Sequence, residues 1–398
     1  MSNKRQELHS SLSDDFFDDL QAMSDDEVVS EAIEDFGSLE SALGNIRFEI
    51  AQTINKVAKN ELARARSLVL DERVRSASTT VDPLNARKLL DEFLLSEAGQ
   101  SRLTLAARKG KSSSKKDLLG AFTDLCRLQN CSHSSPPIDF GRVPKAEFIL
   151  KRLGVTEPSE IDVEAIAWHL GAVVKYDNLN DCEARIVGTD DAAIITVDIK
   201  SSPQRQRFSV CHELGHWIYH RRRMLMCHGD EIERPSPDLG NMERMADRFA
   251  AELLMPAYLF ADVAQQLGRP SMSVVRKLSE IFNTSYTAAA IRLVETSNLP
   301  LVLACHGVSG RKWFARSCCL EAGWFPKGDL SSESSAFGMV FGKRPSSMSP
   351  KTVSAATWFG RRDASRWEVV EDSCRSSNGE VLTLLAFKNP HNFLLENT

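Results

Sequence analysis

With 398 residues and an ordinary soluble composition, the chain is long enough for two or three domains, one of them large enough to bury a real core. No apolar run approaches the roughly 18 residues that span a bilayer, which excludes a membrane-spanning role. The net charge of −5 gives no global case for nucleic-acid binding, so any such contact must rest on local patches.

Nine cysteines at irregular spacing, without a CxxC pair, fit reduced thiols better than a disulfide framework or a zinc knuckle. The opening Met1-Ser2-Asn3-Lys4-Arg5, soon followed by acidic sequence, lacks the apolar core and cleavage site of a secretory signal, which implies a cytoplasmic protein.

Between Asp14 and Glu40 the charge is acidic, while Phe16, Phe17, Leu20, Val28, Val29, Ile33 and Phe36 recur at near-helical spacing, predicting short amphipathic helices. Leu39, Leu43, Ile46, Ile50, Ile54, Val57 and Leu62 predict one long helix to about Leu70, a candidate for self-association. A further helix is expected over Ala86–Leu95. The basic run from Arg102 to Lys116 reads as a solvated connection in preference to a phosphate-binding patch. Cys131-Ser-His-Ser-Ser-Pro-Pro137 reads as a linker.

Lys145–Leu153 and Asp162–Leu170 pattern as helices, and Ala172–Tyr176 and Ala192–Asp198 as strands. Helices dominate from Gln204 to Thr296, and strands are expected at Leu299–Cys305, Trp313–Arg316 and Val381–Phe387. The resulting division is a helical N-terminal domain over 1–130, a linker over 131–142, a central domain over 143–298 and a β-rich region over 299–398.

Within the central domain, Cys211-His212-Glu213-Leu214-Gly215-His216 puts two histidines four apart on one helix face, one turn from each other, where both can reach a single metal ion. Glu213 sits where its carboxylate can approach water at that ion. This is the H-E-x-x-H arrangement. Neutral imidazoles suit zinc, and a carboxylate base suits peptide hydrolysis.

Downstream, Glu243 and Asp247 lie one turn apart on a second predicted helix that ends at Pro256. Glu243 can complete a His₂Glu site, and Asp247 can accept a hydrogen bond from the free ring nitrogen of a liganding histidine. Glu252 is the rival third ligand. Small Ala246 and Ala250 would let the two helices approach closely. His220, ahead of Arg221-Arg222-Arg223, reads as the basic cap of the metal helix. Cys211 reads as a small buried residue, not a redox thiol. Tyr219, His220, Tyr258 and Tyr286 are candidate oxyanion donors, with none preferred.

Arg205-Gln-Arg-Phe208, His212-Glu-Leu-Gly-His216 and Glu243-Arg-Met-Ala246-Asp247-Arg-Phe-Ala250-Ala-Glu-Leu-Leu-Met-Pro256 together resemble the ImmA/IrrE metallopeptidase family, over roughly Val143 to Glu295. The resemblance implies an α+β fold with a zincin-like helical metallopeptidase core and a small sheet. It implies one Zn²⁺ per chain held by His212, His216 and Glu243, with Glu213 as base. It also implies a regulatory protease that cuts a helix-turn-helix repressor or antitoxin-like partner in stress, phage or mobile-element control. Asp247 stands where the family often carries Asn. Residues 1–130 do not show the family's frequent N-terminal DNA-binding domain.

Two other readings compete. Val274–Glu295 has a helix-turn-helix pattern, yet its second helix offers only Arg292 to bases or phosphates, so packing beneath the metal site is expected in preference to DNA binding. A sensor or interaction module with a catalytically secondary metal site is the other alternative, and the complete His212, Glu213, His216 and Glu243 set argues against it. The aromatics Trp313, Trp324, Phe325, Trp358, Phe359 and Trp367 form either a core or a partner surface, and this region is expected to tune substrate access.

Overall fold

The apolar runs expected at 172–176 and 192–198 are neighbouring strands of the first of two sheets in the computed structural model. The structure describes residues 24–76, 104–107, 120–121, 123–124, 127–128, 145–180, 182–189, 192–220, 224–225, 237–342, 349–376, 378–390 and 393. The acidic stretch before 24, the helix expected at Ala86–Leu95, the basic run apart from 104–107 and the linker at 131–142 lie outside them. The chain divides into two units, residues 1–60 and 61–398.

In the first unit, α1 (Asp25–Phe36) ends at Gly37, whose φ of 77° and N–H bond to the Ile33 carbonyl make a left-handed cap. Ser38 then accepts the N–H of Ser41 at the head of α2 (Leu39–Ser76), the long helix expected from the spacing. Leu43, Ile46, Ile50 and Ile54 along it are exposed.

The rest of α2 belongs to the second unit, where Leu62 and Ala65 enter the core and Arg66 pairs with Asp162 at 2.9 Å. The first sheet contains β1 (Thr104–Ala107), β2 (Ala172–Asp177), β3 (Ala184–Gly188), β4 (Ala193–Asp198) and β5 (Met224–Leu225), in the order β2-β4-β3-β1-β5. β2 runs parallel to β4, whereas β3 is antiparallel to both β4 and β1. β3 is buried throughout and β4 nearly so, as expected for strands covered on both faces.

Segments expected in the helical N-terminal domain are tied to this sheet. β1 pairs with β3. Asp124, fully buried, bonds Lys175 at 3.0 Å, Arg185 at 3.1 Å and Thr196 at 3.0 Å.

The second unit also contains α3 (Ala146–Arg152), α4 (Val163–His169), α5 (Pro203–Tyr219), α6 (Pro237–Leu254), α7 (Ala257–Leu267), α8 (Met272–Ile281) and α9 (Tyr286–Thr296). α5 crosses β3 and β4 and packs along α6. Its Trp217 is fully buried, donates to the Leu170 carbonyl at 3.2 Å, and occupies the space where a side chain at Gly188 would stand.

The second sheet is antiparallel, in the order β7-β6-β10-β9-β8: β6 (Leu301–Gly307), β7 (Gly310–Arg316), β8 (Lys351–Ser354), β9 (Glu368–Arg375) and β10 (Val381–Phe387). Its central strands alternate faces with the two-residue period of a strand. Leu301, Leu303, Cys305, Leu382 and Leu384 join the core shared with α8 and α9, while Val302, Ala304, Val381, Leu385 and Phe387 face a second core. That second core includes α10 (Ser335–Phe341) and buries Trp324, Trp358 and Phe359, so most of the aromatic set is packing and Phe325 stays exposed.

β9 contributes two buried carboxylates to helix starts on opposite faces of the sheet. Asp372 accepts the N–H of Met272 at 2.7 Å, heading α8, and Glu371 accepts that of Ala336 at 3.0 Å, in α10. Among the described residues, no helix is long and apolar enough to cross a membrane. Helices and two sheets together make a mixed α and β protein.

Candidate metal centre

α5 starts where the chain leaves β4: Ser202 caps it by accepting the Arg205 N–H, and Pro203 occupies the first turn, where a missing N–H costs nothing. Arg205 pairs with Glu183 through Nε at 2.7 Å, and Gln206 donates to the carbonyls of Asp198 and Ile199, which fixes the helix against the end of the strand. Three turns on, His212, Glu213 and His216 are buried to within 1% of full enclosure.

α6 lies across them at close range. Gly215 makes this approach feasible, because a Cβ there would stand 3.0 Å from Ala246 Cα and 3.3 Å from the Ala246 carbonyl oxygen. Ala246 and Ala250 on the facing side are fully buried. At that separation Glu243 and Asp247, both about half-exposed on α6, reach the histidines.

His212 Nε2 and His216 Nε2 are 3.1 Å apart, and the Glu243 carboxylate oxygens lie 3.3 Å from each of them. Asp247 Oδ1 is 3.0 Å from His212 Nδ1. A carboxylate at Nδ1 requires the ring proton there, which leaves the Nε2 lone pair facing the other imidazole and Glu243. Three acceptors converging in this way form a donor set able to hold one cation. Ligand atoms bound at about 2.0–2.1 Å in a tetrahedron stand about 3.3 Å apart, so the donor set fits zinc in type and spacing. Without a metal, protons on the two Nε2 atoms give Glu243 hydrogen bonds that outweigh the upward push of burial and hold its carboxyl well below the usual carboxylate range, whereas a bound cation takes the place of those protons.

Other candidates from the sequence stand elsewhere. Glu252 bonds Arg248 at 2.8 Å and is outside the cluster. Burial pushes the Cys211 thiol up to about 12, which keeps it protonated and unreactive. The Tyr258 hydroxyl donates to the Val155 carbonyl and the Tyr286 hydroxyl to that of Met272, so both are committed to holding loops and helix ends. Tyr219 packs edge-on against Phe249, with ring centres 5.5 Å apart.

His220 corrects an expectation. Its backbone does end α5, but its ring is buried, not presented as a charged cap, and its Nδ1 lies 3.1 Å from Nδ1 of His216. The second four-residue step, from His216 to His220, was the available signal.

Arg292, the one base-reading candidate of the helix-turn-helix pattern, is buried and donates to the Met255 carbonyl at 2.8 Å. A cavity of about 850 Å³ opens beside α6, lined by Asp247 together with Arg205, Phe208, Met255 and Ile291, but not by His212, Glu213, His216 or Glu243.

A buried H-E-x-x-H helix completed by a glutamate from the next helix defines the donor set of a metallopeptidase-like domain. Residues 167–294, which contain all of these groups, match the Peptidase_M78 family model, described as the IrrE N-terminal-like domain. This segment is thus similar to the IrrE N-terminal-like domain, in agreement with the ImmA/IrrE resemblance of the motifs. No curated protein matches the chain. Among solved structures, a Mycobacterium tuberculosis transcriptional regulator aligns at 14% identity over 61% of this chain and 74% of that one, with a TM-score of 0.42. That likeness is too low to carry an argument.

Proposed function

We propose that the protein is a cytoplasmic zinc-dependent endopeptidase with a zincin-like core, binding one Zn²⁺ per chain through His212, His216 and Glu243. The observation that carries this reading is the convergence of two Nε2 atoms and one carboxylate, at 3.1 and 3.3 Å, on a helix pair whose neighbouring acid is Glu213. A zinc ion held there supplies Lewis acidity, acidifying water and polarising the scissile carbonyl. Glu213, fully buried next to His212, takes the proton of the attacking water and passes it to the leaving amine nitrogen. Asp247 holds the His212 ring in the tautomer that leaves Nε2 free.

The substrate in this reading is a protein, a helix-turn-helix repressor or antitoxin-like partner, cut to release genes for stress, phage or mobile-element control. The family match over 167–294 supports that choice. Elemental analysis of native protein, Glu243→Ala and Glu213→Gln tests the centre. One zinc per chain, lost with Glu243→Ala and kept with Glu213→Gln, is the expected result, together with cleavage of a co-expressed repressor by the native protein alone. Native protein that takes up no zinc when it is supplied overturns the reading.

A further inference from the structure

His212 and His216 on α5 and His220 at its C-terminal cap form one stripe, each a turn beyond the last. The first two turn their Nε2 atoms toward each other and toward Glu243. The third lies behind them: its Nδ1 faces the opposite edge of the His216 ring at 3.1 Å, and it is outside the group of side chains able to share one ion. Backbone geometry holds it there, since the His220 N–H closes the last turn on the His216 carbonyl at 2.9 Å and the chain then leaves the helix at φ −125°, ψ 31°. The ring is 4% exposed, so water does not compete for the contact.

Two ring nitrogens 3.1 Å apart share one proton, so one donates and the other accepts. When His216 offers its Nε2 lone pair to a metal, its proton is on Nδ1, and His220 must accept through an unprotonated Nδ1 while carrying its own proton on Nε2. We infer that His220 is a positioning residue for the metal centre, a neutral acceptor that fixes the tautomer and orientation of His216 as Asp247 does for His212. The two ligands are therefore supported unequally, one by a half-exposed carboxylate and the other by a buried neutral ring. This inference rests on the metal reading above.

The test compares zinc affinity, by competition with a chromophoric chelator, in the native protein, His220→Phe and His220→Asn. Phe keeps a ring but has no acceptor, whereas the Asn Oδ1 stands about where the His Nδ1 was. We expect a 10- to 100-fold loss of affinity with Phe and recovery of most of it with Asn.

Nitrogen-15 NMR of the zinc-loaded native protein reads the arrangement without any substitution: His216 protonated on Nδ1, His220 on Nε2. Native affinity in the Phe variant, or His220 protonated on Nδ1 in the loaded protein, overturns the inference while leaving the zinc reading intact. A native chain that binds no zinc overturns that reading and this inference with it. If the Phe variant does not fold, the Asn variant and the native spectrum decide the question.

Discussion

Asp247 Oδ1 stands 3.0 Å from Nδ1 of His212, and because the aspartate is half-exposed on α6 while the histidine is buried on α5, one hydrogen bond links the two helices at the candidate centre. Removing a partner of this kind weakens metal binding by about 10- to 100-fold. Asp247→Ala should show that loss in chelator competition, together with a stability loss of about 1–3 kcal/mol, since the buried His212 Nδ1–H loses its Asp247 acceptor. Asp247→Asn keeps an acceptor oxygen, and its affinity should fall between that of Ala and the native protein. An Ala variant with native zinc affinity would remove Asp247 from the centre.

Glu213 differs from its neighbours in being enclosed without belonging to the three-residue ligand group. Glu213→Gln preserves volume and one acceptor oxygen but cannot take up a proton from water. Loss of a general base typically costs about 10²- to 10⁴-fold in rate, so cleavage should fall by that amount at unchanged zinc content. A variant that loses its zinc would instead show Glu213 to be structural.

The part of this arrangement legible in the sequence is the part carried by local spacing. The two histidines, Glu243 and Asp247 stand one helical turn apart on their helices, and strands β2, β4, β6 and β10 are short apolar runs. What sequence missed depends on distant partners. β3 reads Ala-Arg-Ile-Val-Gly, and Arg185 within it looks like a surface residue until Asp124, 61 positions away, is seen to accept its charge in the core. β9 reads as polar because Glu371, Asp372 and Ser373 interrupt it, yet its two acids are buried on helix N–H groups supplied by α8 and α10. The fold of His220 back onto His216 was hidden by the arginines that follow it, which suggested a solvated cap.

The close approach of α5 and α6 gives a stability prediction with a built-in contrast. A methyl group at Gly215 would stand 3.0 Å from Ala246 Cα, 3.3 Å from its carbonyl oxygen and 3.3 Å from Phe249 Cβ, and the first two are backbone atoms that cannot rotate away. Gly215→Ala should cost about 1–3 kcal/mol and, by pushing α6 outward, lower zinc affinity as well. At Gly240, on α6 itself, a methyl group meets nothing within 4 Å, so Gly240→Ala should be neutral or stabilise by up to about 1 kcal/mol. Urea titrations of the two variants check this. Equal behaviour would mean that the helix crossing is not set by Gly215.

Asp124 tests where the folded unit of the candidate centre begins. It is fully enclosed and takes bonds from Lys175, Arg185 and Thr196 on the three strands β2, β3 and β4. Breaking a buried pair by deleting one partner strands the other charge, at a cost of about 3–5 kcal/mol, whereas replacing both charges with apolar groups is often near neutral. Asp124→Ala should therefore lower stability by about that amount, and adding Arg185→Met should restore much of it. The same arithmetic governs truncation: a fragment starting at residue 131 retains Arg185 but lacks its carboxylate, and should unfold at lower urea than the full chain. Equal midpoints for fragment and full chain would support the boundary at 130 and show that the bonds of Asp124 add nothing to the stability of the unit.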